Sequence, residues 1–159
     1  MTAYFVLKFL HVIGAAVLLG TGAGIAFFML LAHRTGDAKV IAAVARIVVI
    51  ADVVFTTTAV IAQPVTGLLL ARIAEHELTE GWIVLSMLLY LVTGAFWLPV
   101  VWMQARMRRL ALAASQAGEP LPRLYHTLFR TWFWFGFPAF AAVVAIFWLM
   151  IARPQLLLW

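Results

Sequence analysis

Residues 4–32, YFVLKFLHVIGAAVLLGTGAGIAFFMLLA, decide how the chain is read, because no side chain between Lys8 and Arg34 carries a formal charge. A helix rises about 1.5 Å per residue, so this run exceeds the roughly 20 residues needed to cross a hydrocarbon core about 30 Å thick. Its first residues resemble a signal peptide. The apolar stretch nevertheless continues to Ala32 without a clear basic leader, so a retained helix is expected.

Three more such runs follow, between Asp52 and Arg72, between Glu80 and Arg106, and between Arg130 and Arg153. Spans are expected near 4–32, 40–72, 82–105 and 128–152, which makes 1–159 a single all-α domain, a polytopic bundle of four transmembrane helices. Composition points the same way: with 66% hydrophobic and 11% charged residues the chain has too little polar surface to clothe a soluble domain, which excludes one. The expected linkers are HRTGDAK (33–39), acidic IAEHELTEG (73–81), and the stretch from Arg106 to Leu124, with Pro120 and Pro122.

Linkers one and three and their flanks hold eight basic residues, Arg34, Lys39, Arg46, Arg106, Arg108, Arg109, Arg123 and Arg130, against three on the other side, Lys8, Arg72 and Arg153. The positive-inside bias then places both termini outside the cytoplasm, in the periplasm if the host is a bacterium, with the protein in the cytoplasmic (inner) membrane. Trp82, Trp148 and Trp159 are expected near the outer face, and Trp102, Tyr125, Trp132 and Trp134 near the inner one. The net charge of +5 is thus read as topology and anionic-lipid contact, with no nucleic-acid partner. The absence of Cys excludes disulfides, thiolate metal sites and covalent haem attachment.

Several residues inside the spans stand out. Counting back from Arg72 puts Asp52 near the inner interface, where it is expected to be hydrated or paired with an Arg; an acidic residue deeper in a membrane helix would mark function. Gly20 and Gly24 have the small-xxx-small spacing that lets helix backbones approach closely. Pro64, Pro99 and Pro138 are expected to bend their helices and release the carbonyls of Val60, Ala95 and Trp134, with Thr56, Thr57, Thr58, Thr66 and Thr93 available to meet them.

His11 is the most informative residue, about 10 Å inside the outer end of the first helix, because intramembrane histidines are rare and face the bundle interior. Lys8 and Gly14 share its face, and Met87, Gln63 and Tyr90 are expected in the same layer. The simpler reading is a neutral His11 hydrogen-bonded to Gln63 or Tyr90. The rival is a b-type haem with His11 as axial iron ligand, Met87 as a second, room at Gly14 and Lys8 or Arg72 near the propionates. His33 and His126 share the inner end as a weak metal candidate. HELTE (76–80) lacks the second histidine of the HExxH motif, and no nucleophile–base set or phosphate loop points to an enzyme.

The phrases FLHVIGAAVLLGTG, FTTTAVIAQPVTGLLL, GAFWLPVVWMQARMRRLA and YHTLFRTWFWFGFPAFAAVVAIFWLMIARP resemble the bacterial family catalogued as domain of unknown function 2269, small predicted integral membrane proteins. The resemblance covers essentially the whole chain and implies a membrane bundle without an established activity. More distantly, His11 is similar to the intramembrane histidine of copper-resistance and haem-binding protoporphyrinogen oxidase membrane proteins, whose other functional residues have no counterpart here.

The expected role is a non-enzymatic accessory or scaffold bundle in the lipid bilayer that forms a homo-oligomer or docks with another membrane protein. A haem-binding or redox protein centred on His11 is the alternative, and a transporter of small solutes or metals the second.

Overall fold

The computed structural model describes residues 2–155, and among them it contains four long helices and no strands. They are α1 (Thr2–Thr35), α2 (Ala38–Ile73), α3 (Gly81–Ala117) and α4 (Arg123–Ala152), each long and apolar enough to cross a bilayer. Trp159, expected at the outer interface, lies outside the described residues.

Local chemistry sets the turns. Gly36 takes a left-handed φ of 67°, which ends α1, and the Asp37 carboxylate then caps α2 by accepting from the Lys39 N–H at 2.7 Å. The third linker is shorter than expected, since α3 continues through Arg106, Arg108 and Arg109 to Ala117 and stops only at Gly118, again at φ 67°. The reason lies in RMRRLALAASQA (106–117): it is rich in strong helix formers, and its Met107, Ala111 and Ala114 fall on one buried face.

The main core sits at the basic end, where Met29 of α1, Ile41 and Ala45 of α2, Met107 and Ala111 of α3, and Tyr125 and Phe129 of α4 pack together. Lipid is as apolar as these side chains, so close van der Waals packing and hydrogen bonds must hold the helices, and small alanines allow the approach. Towards the other end α1 packs along the second half of α2, and α3 stays against α4. A smaller cluster of Ala71, Trp82, Ile83 and Leu149 joins the pairs there.

Part of the expected aromatic belt is core. Trp102, Trp134 and Trp148 are exposed, but Tyr125 and Trp132 are buried. Each finds an interior partner for its polar tip, Tyr125 at His33 Nδ1 (3.3 Å) and Trp132 at Gln104, so neither needs the headgroup region.

All three prolines lie inside continuous helices. The Val60 carbonyl released by Pro64 accepts from the Tyr90 hydroxyl of α3, so a tyrosine meets it where a threonine was expected. The threonines serve another irregularity. Residues Asp52–Thr56 form a π-turn, and Thr57 Oγ1 donates to the Asp52 carbonyl at 3.0 Å while Thr58 Oγ1 donates to that of Val54 at 2.6 Å.

The turn between α2 and α3 is built on Glu80. Its carboxylate accepts from Trp82 Nε1 at 2.7 Å, His76 Nδ1 at 2.9 Å and the Glu77 N–H at 3.0 Å, while Arg153 Nη1 donates to His76 Nε2 at 3.2 Å. The Trp82 indole N–H above all, then the His76 ring and the Glu77 amide, hold this carboxyl below its ordinary pKa. A depressed carboxyl contributes stability that is complete above its unfolded pKa and lost as pH falls through the folded one. Amide exchange across residues 75–80, corrected for intrinsic rates, is therefore expected to accelerate as pH falls below about pH 4. Glu80→Gln should exchange fast throughout; protection equal to the parent's would refute the carboxylate anchor.

Candidate functional site

Asp52 opens the π-turn and is only 3% exposed. Counting from Arg72 had placed it at the interface, hydrated or paired with Arg. The structure corrects these surroundings: the π-turn directs Asp52 and Thr56 into the bundle, away from solvent. Among the described residues the one ion pair is His76–Glu80, so no arginine meets Asp52. Gln104 of α3 does: with its amide oriented to satisfy both neighbours, Nε2 donates to Asp52 Oδ2 and Oε1 accepts from Trp132 Nε1 of α4 at 3.2 Å. Thr56 Oγ1 and Trp97 Nε1 also lie buried near the carboxyl, but neither makes a hydrogen bond to it or to any other group.

The polar neighbours of the Asp52 carboxyl are thus all groups able to donate, and of them the Gln104 amide is the one that hydrogen-bonds it. Through Gln104 and Trp132 this one carboxyl ties α2, α3 and α4 together. A metal cation would meet N–H donors on most sides. Distance along one helix gives no sign of this burial, because it is set by the residues of α3 and α4 that lie opposite. The polar run of Asp52 and Thr56 with Gln104 inside two apolar helices was the signal available, since π-turns often mark functional positions.

A second polar layer lies around His11. Its Nδ1 is 2.8 Å from Thr66 Oγ1, and that hydroxyl donates to the Ala62 carbonyl at 2.8 Å, so His11 Nδ1–H is the donor and Nε2 keeps the lone pair. Gln63 Nε2 donates to the His11 carbonyl at 2.9 Å. Two glycines make this possible: a Cβ at Gly14 would overlap the Gln63 amide, and one at Gly67 would lie 3.2 Å from His11 Cε1.

Of the residues expected here, His11, Gly14 and Gln63 come together. The His11 partner is Thr66, in place of the Gln63 or Tyr90 side chain. Tyr90 bonds Val60. Met87 is 50% exposed on α3, and exposed Lys8 sets its ammonium 5.6 Å from the Tyr4 ring centre. The imidazole thus packs on α2, with neither Met87 nor Lys8 beside it. His33 and His126 do approach, with ring centres 5.9 Å apart, but His33 stacks on Phe129 at 3.6 Å as part of an aromatic cluster. Among the described residues no three His, Cys, Asp or Glu side chains gather as a metal site.

Asp52→Ala would leave the Gln104 amide without its acceptor, at about 1–3 kcal/mol for the group left unsatisfied, and open a cavity beside it. Asp52→Asn keeps an acceptor oxygen and should cost less. Thermal unfolding in mild detergent is expected to rank the parent above Asn and Asn above Ala; an Ala variant as stable as the parent would contradict the buried network.

Comparison with known proteins adds one assignment. The family described as predicted integral membrane protein, domain of unknown function 2269, matches residues 5–154, and the chain belongs to it. No curated protein and no solved structure matches the chain.

Proposed function

We propose that this member of the family is a non-enzymatic accessory or scaffold bundle that associates with a second copy, or with another membrane protein, through the glycine face of α1. One observation carries the reading. A Cβ built on Gly20 or Gly22 meets nothing within 4 Å, and one on Gly24 meets only Phe28 of its own helix. Gly14 and Gly67, by contrast, owe their lack of a side chain to contacts within the chain. The small-xxx-small face of α1 is therefore left open by the monomer, and in lipid such a face lets a second backbone approach closely.

The charge bias supports a bacterial cytoplasmic membrane as the setting, with the basic end in the cytoplasm and both termini in the periplasm. The haem and transport readings gain no support from the geometry. The His11 ring is engaged by Thr66 and packed on Gly67, and among the described residues the one deeply buried carboxyl, Asp52, is held by the Gln104 amide.

Native mass spectrometry and crosslinking in mild detergent test the association. The parent should give dimers or larger species, and Gly20→Leu with Gly24→Leu should give monomers without loss of thermal stability. Gly14→Ala should instead lower the melting temperature, because Gln63 must release the His11 carbonyl. A monomeric parent across detergents and in nanodiscs would overturn the proposal, as would association untouched by the leucines. For the orientation, a C-terminal reporter should be active only in the periplasm, and cytoplasmic activity would reverse it.

A further inference from the structure

The basic end carries a groove between α2 and α3 with a volume of about 360 Å³. Lys39 and Arg46 line it from α2, and Arg108, Leu112 and Ser115 from α3. In each helix the polar lining residues are seven apart, two turns on one face, so the two antiparallel helices present their polar groups along both sides of one trough about 10 Å long. Between them Ala43 and its neighbour Ala42 are too small to fill the space. No carboxylate lines the groove, and among the described residues none of the three cations has an acidic partner within salt-bridge distance.

The groove also has an apolar continuation. From Ala43, the positions four, seven and eleven residues on are Ile47, Ile50 and Val54, all exposed and on one stripe of α2 leading towards the bilayer centre. Three unpaired cations at the boundary, followed by an apolar track along the same helix, match an amphiphile with a phosphate head and acyl tails. A free phosphate would use only the first part.

We infer that the α2–α3 groove is a binding site for an anionic phospholipid, whose phosphate group lies among Lys39, Arg46 and Arg108, with the Ser115 hydroxyl in reach of its oxygens, and whose acyl chain follows Ile47, Ile50 and Val54. The geometry commits the site to the lipid over the free anion because the apolar stripe continues the cationic trough. It is independent of the α1 face, so association and lipid binding fail or succeed separately.

The test is native mass spectrometry and thermal shift of the full chain in a nonionic detergent, titrated with phosphatidylglycerol, phosphatidylcholine or inorganic phosphate. Phosphatidylglycerol should bind in preference to phosphatidylcholine and raise the melting temperature, and inorganic phosphate should do neither. Arg46→Gln with Arg108→Gln should weaken phosphatidylglycerol binding by about tenfold or more. Arg109→Gln, an equal change of charge per site on an exposed residue outside the groove, should stay within about twofold of the parent. Arg46→Lys with Arg108→Lys, which keeps the charge, should retain most of the binding and shows whether a loss reflects misfolding. An equal loss in Arg109→Gln would reduce the site to diffuse surface attraction. Phosphate that matches the lipid, or no preference for phosphatidylglycerol over phosphatidylcholine, would overturn it.

Discussion

In hydrocarbon a backbone carbonyl or amide has no water to turn to, and each one left unpaired costs several kcal/mol. Two irregularities in this bundle answer to that constraint. Pro64 breaks the ladder at Val60, and a tyrosine from the neighbouring helix reaches across to repair it. The π-turn at Asp52–Thr56 disturbs the pattern again, and the hydroxyls of Thr57 and Thr58 cover the carbonyls around it. At mid-bundle the same demand extends to side chains, where Asp52, Gln104 and Trp132 form a relay across three helices.

Because lipid competes on equal terms for apolar side chains, the bundle cannot rely on the hydrophobic effect that assembles soluble helices. What it has is close packing where residues are small or flexible. Alanines and methionines fill the basic-end core, and glycines at positions 14 and 67 let the Gln63 amide and the His11 ring lie flush against the facing helix. The other glycines of α1 have no such task within the chain. That contrast separates glycines used for folding within the chain from those left on its lipid-facing surface.

The two ends differ in their electrostatics. At one, Glu80 gathers an indole, an imidazole and an amide and so fastens the α2–α3 turn near Arg153 at the end of α4. At the other, arginines lie along helix faces, because α3 continues past the expected span, and unlike the loop carboxylate they have no acidic partners among the described residues. Compact ion pairing at one end and free cations at the other suit a molecule whose basic end meets phosphate headgroups.

The amino-acid order alone determined the fold class, since four uncharged runs of about the length needed to cross a bilayer admit only helices that satisfy their own backbone. It also identified the Val60 carbonyl as needing a donor, and grouped His11 with Gly14 and Gln63. Other things depended on tertiary packing. Spacing along one helix does not reveal which residue of another helix lies opposite, so Thr66 as the partner of His11, Tyr90 as the partner of Val60 and Gln104 as the partner of Asp52 became visible only in the assembled bundle. The depth of Asp52 was hidden for the same reason: burial belongs to the space between helices, and a distance counted along one chain segment carries no measure of it.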